Sequence, residues 1–90
     1  MTTDLSIQII KEYVPHTFAT KDTKKKSYQQ WAVYEICNRL MDNPLASPID
    51  VFEEFIFEMI TYSYQKDNET TKMIFQTAAD TAEEIALLFV

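Results

Sequence analysis

Ninety residues with 47% apolar and 24% charged side chains make one small globular domain, spanning 1–90, and are too few for two. An aromatic share of 13% excludes a disordered chain, and the absence of any glycine excludes standard phosphate loops, dinucleotide-binding turns and primed hairpins. The formal charge of -6 is unevenly held: residues 1–49 carry six basic side chains against five acids, whereas residues 50–90 carry nine acids against Lys66 and Lys72. No apolar run approaches the roughly 18 residues that span a bilayer, and the start MTTDLSIQII has no basic stretch followed by a hydrophobic one, so a cytoplasmic chain without a membrane segment is expected. Cys37 is the sole cysteine and His16 the sole histidine, so no internal disulfide, zinc cluster or Cys-His nucleophile is expected, and no cofactor.

Four helices are predicted in chain order, three long ones preceded by a shorter one, giving an all-α small helical bundle. Over residues 4–14, Leu5, Ile9, Ile10 and Tyr13 line one side of a helix that stops at Pro15. The alternation Leu5, Ile7, Ile9 also fits a strand, but no second strand signal offers it a partner. The second helix is placed at 27–42. Ser27 and Gln30 have the spacing of a capping box, and a start at Thr23 would set three lysines against the positive end of the helix dipole. Val33, Ile36, Cys37, Leu40 and Met41 form its apolar side; Tyr28 and Trp31 fall on the polar side and are expected to be covered by the N-terminal segment, through Val14 or Phe18.

The third helix, 48–65, opens with Ser47 as cap and Pro48 at the first helical position, with Asp50 in the first turn. Its inward stripe is read as Phe52, Phe55, Ile56, Met59, Ile60 and Ser63, leaving Phe57 and Tyr64 just outside. The fourth helix, 68–89, carries apolar residues over an arc of roughly 200°, wider than one neighbour can cover. Either it is central in the bundle or it packs against another molecule, and the alanines at 78, 79, 82 and 86 suit the close approach of a second helix. Helices three and four are expected to form an antiparallel hairpin, with helix two across them through Val33, Ile36, Leu40 and Met41. Cys37, Met41, Met59 and Met73 read as core filler, and His16 as a residue of the first connection.

Three groups of residues could carry a function. Asp50, Glu54 and Glu58 recur every fourth residue, about 6 Å apart along one edge, and Asp80 and Glu84 repeat the spacing on helix four. Such like-charge pairs cost roughly 0.2–0.5 kcal/mol each, so helix stability alone does not select them. They suit either a solubilising face or a surface for a basic partner. Trp31, Phe57, Tyr64, Ala82 and Phe89 are the candidate apolar contacts. Lys21, Lys24, Lys25 and Lys26 form a basic loop near Tyr28 and Trp31 that could contact phosphates, although the acidic remainder of the chain repels a nucleic-acid backbone. Without glycine loops, a second histidine or a second cysteine, no catalytic constellation is visible, and the expectation is a non-enzymatic module. It would be an adaptor, regulator or inhibitor that binds a protein partner and forms a homodimer through the C-terminal helix. The alternatives are an acidic mimic of nucleic acid, of the kind phages and mobile elements produce to inhibit DNA- or RNA-binding enzymes, and direct nucleic-acid binding through the lysines.

Overall fold

A computed structural model describes residues 3–17, 22–65 and 67–89, and in the first helix the side chains of residues 4–12. Four α-helices follow one another: α1 (Thr3–Thr17), α2 (Thr23–Asp42), α3 (Pro48–Gln65) and α4 (Glu69–Ala86), the last continued by a single 3-10 turn over Leu87–Phe89. The all-α bundle of three long helices and a shorter first one is therefore present, and residues 4–14 are helix rather than strand. None of the described helices is long and apolar enough to cross a membrane.

Local chemistry explains most of the boundaries. The carbonyl of Ser47 accepts from the Val51 amide at 3.2 Å, opening α3 with Pro48 where a missing N–H costs nothing. Asn68 caps α4, its side chain accepting from the Thr71 amide at 3.1 Å. Pro15 does not end α1, which runs two residues further and takes in His16, placed in a connection by the sequence reading. So close to the C-terminus, proline removes a single backbone hydrogen bond, and the turns already formed tolerate it. Tyr13, Val14, Phe18, Lys21 and Lys66 lie outside the described side chains.

The start of α2 corrects the expected capping box. Asp22, extended at φ -78 and ψ 107, accepts from the amides of Lys24 at 3.0 Å and Lys25 at 3.1 Å. Ser27 instead donates its hydroxyl to the Thr23 carbonyl one turn back, at 3.1 Å. A carboxylate that satisfies two orphan amides and also neutralises the positive helix end outweighs the few tenths of a kcal/mol that each lysine costs there. Lys24, Lys25 and Lys26 consequently ride the first turns of a helix and do not form a loop.

The core is built mainly by α2, α3 and α4. Phe52, Phe55, Ile10, Ile36 and Ile85 are fully buried, with Leu40, Val51 and Met59 around them. The hairpin partners α3 and α4 make the most extensive contact, and α2 lies against both, more closely on α4. Ala78, Ala79, Ala82 and Ile85 are buried along α4 together with Thr77 and Thr81, whose hydroxyl donates to the Thr77 carbonyl at 2.7 Å. The wide apolar arc is thus absorbed inside the chain. Ala82, expected at a dimer face, has 0% of its surface exposed. The 3-10 turn brings Phe89 back onto Phe52, ring centroids 5.1 Å apart, so Phe89 also serves the core edge.

Several apolar assignments change. On α1, Leu5 is exposed and Ser6 is buried beside Ile10; Met41 and Met73 are exposed, and Ile60 is 39% exposed while Val51 takes a buried place. The inward sector of α3 is thus rotated toward Val51 and away from Ile60. Trp31, 38% exposed, rests its ring on Phe55 of α3 and Phe75 of α4, at 6.5 and 6.4 Å between centroids. Its described ring partners come from the hairpin, while Val14 and Phe18, expected to cover it, lie outside the described side chains.

The two possible starts of α2 separate on mutation. Asp22→Ala should cost about 1 kcal/mol, lowering the melting temperature by about 4–8 °C, whereas Ser27→Ala should change stability by less than about 0.5 kcal/mol. Thermal unfolding followed by circular dichroism checks both.

Candidate functional site

The candidate residues divide into three places once the helices are packed. The first is the contact between α2 and α3. Arg39 donates through Nη2 to Glu58 Oε2 at 2.6 Å, and its guanidinium carbon lies 5.0 Å from the Phe55 ring centroid. Both side chains are about 30% exposed (29% and 31%), so the pair is partly desolvated and the ring face adds a cation–π attraction. Glu58 is thereby withdrawn from the row of carboxylates on α3, leaving Asp50 and Glu54 exposed with Glu53 beside them. The sequence reading placed Arg39 on the polar side of α2 and gave it no role. An arginine on the flank of an apolar stripe, matched by an acid on the flank of the next helix, is the signal that pointed to this contact.

The second place is an open cleft of about 460 Å³ between the start of α2 and the end of α4. Lys25 and Gln29 line one wall, and Thr77, Asp80, Thr81, Glu83, Glu84 and Leu87 the other. Gln29 Oε1 is buried there without a hydrogen-bond partner among the described residues. Two groups treated separately in the sequence thus meet: a lysine of the basic cluster shares a cleft with Asp80 and Glu84 of the acidic one. Acids sharing a cleft with Lys25 reduce the positive potential it could offer to phosphates. No group of three or more potential metal ligands occurs among the described residues.

The third place is the outer side of α3. Phe57 is 72% exposed and Tyr64 84%, with Ile60 between them. At 100° per residue, Glu53, Phe57, Ile60 and Tyr64 fall within a sector about 60° wide, and Asp50 and Glu54 flank it. The spacing of four, three and four residues is that of a seam along which a second helix packs. Of the apolar residues singled out in the sequence, Phe57 and Tyr64 belong to this strip and Ile60 joins them, while Trp31, Ala82 and Phe89 are engaged within the chain. Tyr62 turns the other way, its ring 5.5 Å from Phe75.

Cys37 behaves as the small buried hydrophobe expected of it. Burial pushes its thiol above the ordinary value, with nearby Lys11 opposing the shift only in part, so the reactive thiolate is disfavoured at neutral pH.

The Arg39–Glu58 contact is measurable by a double-mutant cycle. Arg39→Met and Glu58→Gln should show a coupling of about 0.5–1 kcal/mol that shrinks as salt is raised. Urea unfolding of the two single variants and the double variant gives the coupling directly.

Compared with protein-family models, with curated proteins and with solved structures, the chain matches none.

Proposed function

We infer that the chain is a non-enzymatic, cytoplasmic protein-interaction module whose contact surface is the outer side of α3. A single observation carries this inference: two large aromatic side chains, Phe57 and Tyr64, stand mostly in solvent on one helix face, in line with Ile60. Scattered apolar residues on a protein surface are ordinary, but a collinear set at helix-packing spacing is a contiguous patch of the kind that marks contact sites. Aromatic side chains also dominate the energetics of protein interfaces, because they bury much area at little cost in rotamer entropy.

The expected dimer through α4 loses support, since Ala78, Ala79 and Ala82 are buried within the chain and Ala86 is half-buried beside them. The acidic-mimic alternative keeps Asp50 and Glu54 on α3 and Asp80 and Glu84 on α4, but Glu58 is engaged by Arg39 and the α4 pair shares its cleft with Lys25.

Photo-cross-linking tests the assignment by position. A benzophenone side chain at position 57 should give discrete protein adducts in a cell extract, and the same group at position 76, exposed on α4, should not. Equal yields at the two positions, or none at either, would remove the role from α3.

A further inference from the structure

The outer strip of α3 also carries information about what covers it, given that it is a contact surface at all. Two quantities bear on the choice between a second copy of this chain and a different partner, and charge is the one that separates them.

The first is area. Taking roughly 150–250 Å² for each large side chain and the observed exposures, Phe57, Ile60 and Tyr64 present on the order of 400 Å² of apolar surface. A stable interface of standard size takes about 800 Å² from each partner. A little over half of such an interface is apolar, so the strip comes close to one partner's apolar share, and area by itself admits either occupant. One amphipathic helix laid along the seam needs no more than a strip of this width.

The second is charge. Asp50, Glu53 and Glu54 are exposed at the strip's N-terminal end and flank, and α3 carries no lysine or arginine anywhere between Pro48 and Gln65. Its last turn, up to Gln65, holds no basic residue either. A second copy laid parallel would bring these acids against one another, and one laid antiparallel would offer them no cation from α3. A basic helix would pair with them, gaining on-rate and specificity from charge while the aromatics supply the apolar contact.

We propose that the face of α3 formed by Phe57, Ile60 and Tyr64, with Asp50, Glu53 and Glu54 beside it, binds a basic amphipathic helix of another protein. The helix lies along α3, its apolar residues at a spacing of three and four between the aromatics and its lysines or arginines over the acids.

The probe is a fluorescently labelled synthetic helix of about three heptads, with leucine along one seam and lysine on its flanks, kept at concentrations where it is monomeric. Its counterpart carries glutamate in place of lysine. Fluorescence anisotropy should show the lysine-flanked helix binding the full chain and the glutamate-flanked helix failing to bind. Phe57→Asp should weaken binding at least tenfold even though it adds negative charge, which isolates the apolar contact from simple attraction. Phe57→Ser, neutral and equally exposed, should weaken it similarly, and both variants should keep the helical circular dichroism of the parent chain. Neutralising Asp50, Glu53 and Glu54 together, as Asn, Gln and Gln, should weaken binding about tenfold and flatten its dependence on salt.

Binding that is indifferent to Phe57→Asp, binding of both peptides alike, or binding of neither overturns the proposal. A dimer in light scattering that Phe57→Asp dissociates would give the face to a second copy. That result overturns the partner chemistry while leaving the contact role intact. Loss of the role itself would appear as the absence of position-57 adducts, so the two failures are distinguishable.

Discussion

Helix α4 can be gripped on two sides because Ala78, Ala79 and Ala82 are small, letting α3 and α2 come close along an arc that a row of leucines would hold apart. The remainder of the molecule follows from that contact. It sets α3 and α2 near enough for Trp31 to reach both Phe55 and Phe75, and for Arg39 to meet Glu58 while lying over Phe55. It also gives the 3-10 turn at the end of α4 a place to anchor, with Phe89 against Phe52. Small inward residues offer little apolar area of their own, so the large core side chains are contributed chiefly by α3, through Phe52, Phe55 and Met59.

The same contact decides which surface is left over. A helix with apolar residues on two sides looks like the obvious place for a partner, yet both of its sides are occupied from within. On α3 the inward sector faces α4 and α2 together, which draws Val51 into the core and turns Ile60 outward beside Phe57 and Tyr64. The acids divide in the same way. Glu58 faces α2 and is neutralised by Arg39, while Asp50, Glu53 and Glu54 stay with the exposed aromatics. Apolar surface and uncompensated negative charge thus collect on one helix face.

Much of this was legible in the residues. The absence of glycine and the caps at Ser47–Pro48 and Asn68 predicted an all-helical chain with two of its boundaries in place. At the start of α2 the charge–dipole penalty of three lysines points to Ser27, but the two hydrogen bonds that Asp22 accepts outweigh it and set the start at Thr23. Periodicity located a wide apolar arc on α4 but carries no information about whether the neighbours belong to the same chain, and Ala82 was consequently placed at an outer face. Ile60 was misassigned for a related reason: a stripe drawn on one helix has an uncertainty of a residue or so in rotation until its neighbours are known, and Val51 and Ile60 sit at the two edges where that matters. Phe57 and Tyr64, just beyond the Ile60 edge, lie off the stripe in both the sequence and the structure.

Two substitutions made side by side test whether α4 is internal and α3 presents the free face. Ala82→Glu would place an unpaired charge in the core and should cost about 3 kcal/mol or more, lowering the melting temperature by on the order of 15 °C or abolishing cooperative unfolding, whereas Phe57→Glu should shift it by only a few degrees. Calorimetric melting of the two variants with the parent chain gives the comparison. Stable folding of Ala82→Glu with disruption by Phe57→Glu would contradict the account, because it would put the exposed face on α4 and the buried one on the outer side of α3.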